Sequence, residues 1–129
     1  MRKTTGPARI VVLEVDHGRP ITVYWIVRSD NLDDPVFLSS LRSNYALNNP
    51  PRNIERSSTV IHMGISAYME EGMAHETAQR WEKLGDYVAE IRLTSGHGFN
   101  FAHTGHRSHL TIWADPVKLR EAVVGVGSA

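Results

Sequence analysis

The chain has no cysteine in its 129 residues. That excludes disulfide staples, a thiolate nucleophile and any cysteine-ligated metal centre. It also lacks a surplus of charge: fourteen basic and fourteen acidic residues cancel to a formal charge of zero. The signs are mixed along the chain, so no basic footprint marks it for nucleic acid, which is not an expected partner. No apolar run approaches the roughly 20 residues of a membrane-spanning helix. The basic opening MRKTTGPAR leads into an apolar stretch interrupted by Glu14 and Asp16, a poor pattern for a secretory leader. The expectation is a protein of the cytoplasm, with no membrane partner. Glycine-rich phosphate loops, a Rossmann fingerprint and the GxSxG elbow are all missing. Internal repeats and low-complexity tracts are missing too.

What remains reads as one globular domain, residues 1–129, large enough to bury a core without staples. Hydrophobic residues make up 41% and charged residues 22%, a balance typical of folded domains. Its organising stretch is residues 58–94. In STVIHMGISAYM, Ile61, Met63, Ile65, Ala67 and Met69 alternate with Val60, His62, Gly64, Ser66 and Tyr68, the period of a strand with one apolar face. The period then changes. Met73, Ala74, Thr77, Ala78, Trp81 and Leu84 recur at helical spacing, with Glu76 one turn before Arg80 and Gly85 placed to end the helix. A helix over 71–84, packing Trp81 onto a sheet, is expected. Alternation returns in YVAEIRL, giving a strand over 86–94.

Elsewhere, residues 9–16 and 21–28 read as two strands joined by the turn DHGRP, a hairpin. Asp33 or Asp34 is placed to cap a helix opening at Pro35 and running to Leu47. The polar segment NNPPRNIERSS reads as a loop, either a simple connector or the border of a site. Residues 99–103 and 109–113 read as strands, Asp115 caps a helix opening at Pro116, and residues 123–126 form a last strand. Strands with interspersed helices in this order define an α+β class.

The alternation sets a group of polar and aromatic residues opposite the apolar faces: Tyr24, Arg28, His62, Ser66, Tyr68, His109, Thr111 and Trp113. If these faces converge, they line a cleft suited to an anionic, aromatic ligand such as a nucleotide, with Arg for phosphate and rings for stacking. The same pattern also fits the ordinary outer face of a sheet. His97, His103, His106 and His109 crowd thirteen residues and raise a second possibility, a His-rich metal-dependent hydrolase. They sit on turns and short strands without the HExxH spacing or a nearby carboxylate, so no metal is expected.

The stretch GISAYMEEGMAHETAQRWEKLGDYVAEIRLTSG, with the closing DPVKLREAVVGV, resembles the small, toxin-like proteins of the ADP-ribosyltransferase fold. The run SHLTIWADP also resembles the GHxTxWxDP ending of small actinobacterial proteins, with Ser108 in place of the glycine. The resemblance spans about residues 20–127. It implies a split, mostly antiparallel sheet with about three helices, NAD as cofactor or substrate, and transfer of ADP-ribose to an acceptor, a protein partner or water. Residue by residue it implies that Arg28 or Tyr24 holds ribose and phosphate. Ser66 and Tyr68 hold the nicotinamide, with Trp113 nearby. The family's late acidic position is occupied here by His109, which leaves Glu90 or Glu55 to supply a carboxylate. Slow or absent turnover with nucleotide binding retained is the corresponding expectation. A non-catalytic protein- or ligand-binding module using the same face is the alternative.

Overall fold

The computed structural model describes residues 10–51, 58–105 and 108–129. Among the described residues there are seven strands: β1 (Leu13–Glu14), β2 (Ile21–Val27), β3 (Ile65–Tyr68), β4 (Tyr87–Leu93), β5 (Asn100–His103), β6 (His109–Trp113) and β7 (Val123–Ser128). They form one antiparallel sheet in the order β1-β5-β6-β3-β2-β4-β7. The helices among the described residues are α1 (Pro35–Ser40), α2 (Thr59–His62), α3 (Glu71–Arg80) and α4 (Pro116–Glu121), with a 3-10 turn at Glu82–Leu84. The class is α+β.

The sheet carries its apolar residues where the alternation puts them. Val23, Trp25 and Val27 of β2, Ala89, Ile91 and Leu93 of β4, and Leu110 and Ile112 of β6 are buried together on one face. Phe37 and Leu41, at α1, and Leu119, from α4, close over that face. Both helices start in the same way. Asp34 and Asp115 each accept a hydrogen bond from the backbone N–H two residues on, with proline in the first helical position. The carboxylate satisfies a donor that the helix cannot. The Trp25 indole N–H ties α1 down by donating to Ser40 O at 2.7 Å.

On the opposite face α3 lies across β2, β3 and β4. Its buried side chains are Ala74 and Ala78, small enough to let the helix axis approach the strands closely. The sheet is weakly joined beneath it. Among the described residues, β2 and β3 share the single registered pair Tyr24–Tyr68, whereas β2 and β4 share seven. The sheet therefore opens into two blocks, β1-β5-β6-β3 and β2-β4-β7, along a seam that α3 bridges.

Four local expectations give way to other physics. Residues 59–62 are helical, not the start of a strand: the Ser58 hydroxyl accepts from Ile61 N–H and nucleates a turn, overriding the β-branched bias of Thr59, Val60 and Ile61. The expected hairpin of the first two strands does not form. β1 is only Leu13–Glu14 and pairs with β5, while β2 pairs with β3 and β4. The helix from Pro35 stops at Ser40 rather than Leu47, the chain turning back on itself through Ser43. Finally, α3 ends at Arg80. Trp81 is its C-cap with non-helical backbone, and the ring is 57% exposed instead of packed on the sheet. Gly85 is not this helix's terminator but the point where the chain passes β2; a Cβ there would strike the Val27 carbonyl, and φ is 152°. Because the Trp81 ring covers little, Trp81→Ala is expected to change stability by no more than about 0.5 kcal/mol, as surface substitutions do. Urea denaturation is the check; a loss of several kcal/mol would place the ring in the core.

Candidate functional site

The strand registers assemble a row across the α3 side of the sheet. His109 stands opposite Tyr68, Tyr68 opposite Tyr24, and Tyr24 opposite Glu90. Directly opposed residues of antiparallel strands project to the same face, so one transverse line carries an imidazole, two phenols and a carboxylate. With strands about 4.8 Å apart, the row spans roughly 14 Å. It crosses the seam at Tyr24–Tyr68. One step along the strands, Ser66 stands opposite Thr111.

Sequence reasoning had singled out each member of the row, but only the three-dimensional register makes them neighbours. Arg28 is the exception. It lies just past the end of β2, in an open groove of about 430 Å³ with Glu82, Lys83, Gly85 and Asp86, at the opposite end of α3 from Glu71. A ten-residue helix is about 15 Å long, so the guanidinium does not share the row's groove. Trp113 faces the same side as His109, and its indole N–H is committed: it donates to Val60 O at 2.8 Å and holds α2 against the sheet. His62 leaves the expected strand altogether. It sits in α2, with Nε2 3.0 Å from Asn49 O and the ring edge-on to Tyr45. Glu55, His106 and the loop over residues 52–57 lie outside the described residues.

At the β6 end of the row, His109 is buried and fixed. Its Nδ1 is 2.8 Å from Thr104 O and 3.0 Å from Thr104 Oγ1, and Thr104 Oγ1 is 2.8 Å from Thr111 Oγ1. A carbonyl oxygen only accepts, so this geometry assigns the proton of the neutral ring to Nδ1. The ring meets Tyr68 edge to face, with centroids 5.5 Å apart. Hydroxyls and an aromatic edge thus restrain His109 in one orientation.

At the β4 end the row opens into a groove of about 250 Å³ between α3 and β7. Tyr24, Val88 and Glu90 form its floor, Glu71 and His75 of α3 one wall, and residues 125–128 of β7 the other. Glu71 and His75 are one helical turn apart and linked at 3.0 Å. Burial pushes the Tyr24 hydroxyl above its ordinary pKa, and the carboxylates of Glu90 and then Glu71 push it further. The phenol is therefore a neutral hydrogen-bond donor in a negative field. Such a lining favours a cation or a group on which positive charge develops.

Among the described residues, no three His, Cys, Asp or Glu side chains are grouped to hold a metal ion. His97 and His103 are exposed, with their rings against Phe99 and Phe101. No described helix is long and apolar enough to cross a membrane. No family model matches the chain, and no curated protein or solved structure matches it.

Proposed function

We propose that the Tyr24–Glu90 groove and the adjoining Tyr68–His109 pair bind the nicotinamide riboside end of NAD, on an ADP-ribosyltransferase-like framework. The observation that carries this reading is the single row of Tyr68, Tyr24 and Glu90 across the seam. The nicotinamide of NAD is an aromatic cation. Phenol faces attract such a ring through their quadrupole, and the carboxylates of Glu90 and Glu71 complement its charge. When the bond between nicotinamide and ribose breaks, the positive charge moves to the ribose. Glu90 is the carboxylate beside Tyr24 that would offset it. His109, oriented by Thr104, would act on the acceptor or water, and Ser66 would serve as a hydrogen-bond partner for the carboxamide. The reaction would be slow, because the groove is open to water and Arg28 does not reach it. On this reading the protein is a toxin-like, NAD-consuming effector working in the cytoplasm.

A second reading has its own observation. A groove of about 250 Å³ lies just below the roughly 300–1,000 Å³ of sites that enclose a drug-sized ligand, and among the described residues no lysine or arginine lines it. A non-catalytic module that binds a smaller cationic ligand on the same face fits that geometry. Calorimetric titration with NAD, read beside nicotinamide riboside, separates the two readings. NAD binding with nicotinamide release supports the first; riboside binding without NAD binding or turnover supports the second.

A further inference from the structure

His75 lines the groove between α3 and β7 together with Tyr24, Glu90 and Glu71, yet holding a nicotinamide riboside gives it no task. Its Nε2 is 3.0 Å from Glu71 Oε2, one helical turn back. An ionised carboxylate only accepts, so the proton of the neutral imidazole stands on Nε2 and the lone pair on Nδ1. Among the described residues nothing else bonds the ring, and Nδ1 has no partner. The Glu76–Arg80 pair of the same helix is the ordinary case: 3.8 Å apart, with both side chains more than 60% exposed and no groove beside them. The His75 side chain is 29% exposed. Glu71 is open to water at 60%, so its link to His75 orients the ring more than it stabilises the fold.

We infer that the acceptor in this groove is water and that His75, oriented by Glu71, is the base that activates it. The inference rests on the nicotinamide riboside reading of the groove and names its acceptor. An imidazole with one nitrogen held by a carboxylate and the other bare is the arrangement that takes a proton from an attacking hydroxyl or water. The groove is open to solvent, so water is always at hand, and Glu90 stands in the same lining to offset charge on the ribose. His109 is at the other end of the row, about 14 Å from Glu90. Water attacking beside Glu90 therefore meets His75, and His109 is left to an acceptor that arrives from the β6 side. In the step, the water oxygen bonds to the ribosyl carbon as the bond from that carbon to the nicotinamide nitrogen breaks. The electron pair of the broken bond leaves with nicotinamide, which departs neutral. The proton of the water passes to Nδ1 and then to solvent, so NAD and water give ADP-ribose, nicotinamide and one proton.

Turnover of NAD by the purified protein, with nicotinamide and free ADP-ribose both quantified, is the test. One free ADP-ribose per nicotinamide is expected. His75→Gln is expected to lower kcat about 10²-fold with KM little changed, the low end of what a positioned base contributes. His75→Ala should regain part of its rate when imidazole is added to the solution, which a ring that merely supports the helix would not allow. His97→Gln, on a remote turn, should keep the wild-type rate. In the ligand-free protein, nitrogen-15 spectra of the His75 ring should show the tautomer protonated on Nε2; protonation on Nδ1 overturns the inference. So does nicotinamide released without free ADP-ribose, or an active wild type whose rate survives His75→Gln. If His75→Ala folds and imidazole does not restore it, the inference falls as well; if it does not fold, His75→Gln decides. Each of these results leaves the nucleotide reading standing, whereas a wild type that releases no nicotinamide rejects both.

Discussion

Glutamine in place of Glu90 is expected to lower nicotinamide release from NAD by about 10²–10³-fold, the usual loss when one preorganised electrostatic group is removed from a transition state. The substitution keeps the shape and the hydrogen-bonding reach of the side chain and removes only its charge. Glu90 is half-buried beside Tyr24, where its field is already felt: it helps to raise the Tyr24 pKa. A carboxylate that disfavours phenolate at that distance would favour a ribosyl cation in the same groove. The loss should fall mainly on kcat, because the charge on the ribose develops only as the bond breaks. Equal turnover by wild type and Glu90→Gln would show that the acid comes from elsewhere. An inactive wild type that binds the riboside would favour the non-catalytic module.

Phe37→Ala is expected to destabilise the domain by about 3–5 kcal/mol, the range for truncating a buried phenylalanine. Phe37 has no exposed surface and packs with Leu41 and Leu119 into the main core. α1 itself is six residues long, far below the length at which a helix is stable alone. It exists because Phe37 seats it on the sheet, Asp34 caps it and Trp25 ties down its last carbonyl. Removing the ring should therefore loosen the whole element. Urea denaturation measures this, and a loss below about 1 kcal/mol would contradict the core position of the side chain.

The sequence made the fold legible where a strand or helix is decided by its own period and caps. β2, β4 and β6 alternate cleanly, and α4 begins at an aspartate followed by proline, so their positions follow from local chemistry. Residues 58–62 misled because Ser58 serves as an N-cap while the next three residues favour strand; the cap won. At Trp81 the helical spacing of the apolar residues continues past the point where the backbone leaves the helix to bring Gly85 alongside Val27. β1 lies inside the strand expected over residues 9–16, but its pairing could not be read: its partner, β5, lies some ninety residues on, and no local pattern encodes a pairing at that range. The site divides in the same way. Alternation put Tyr24, Tyr68, Ser66, His109 and Glu90 on one kind of face, yet their order in a row depends on the strand order β6-β3-β2-β4. Arg28 shares Tyr24's parity and still ends up elsewhere, because β2 stops one residue before it. Glu71 and His75 carry a signal, two polar groups one helical turn apart, but an acid in the first turn of a helix is also what the helix dipole favours, so its presence does not mark a site. The β7 wall of the groove had no signal in its residue types.

The row across the seam is tested most directly by calorimetric titration of NAD into the wild type and into Tyr24→Ala, Tyr68→Ala and Arg28→Ala proteins, with circular dichroism confirming that each is folded. Saturable binding by the wild type is expected, weakened at least about tenfold by either tyrosine substitution, which corresponds to about 1.4 kcal/mol each. Arg28→Ala is expected to bind as the wild type does, since it lies at the far end of α3. No NAD binding by the wild type, or binding lost through Arg28 and indifferent to both tyrosines, would contradict the account.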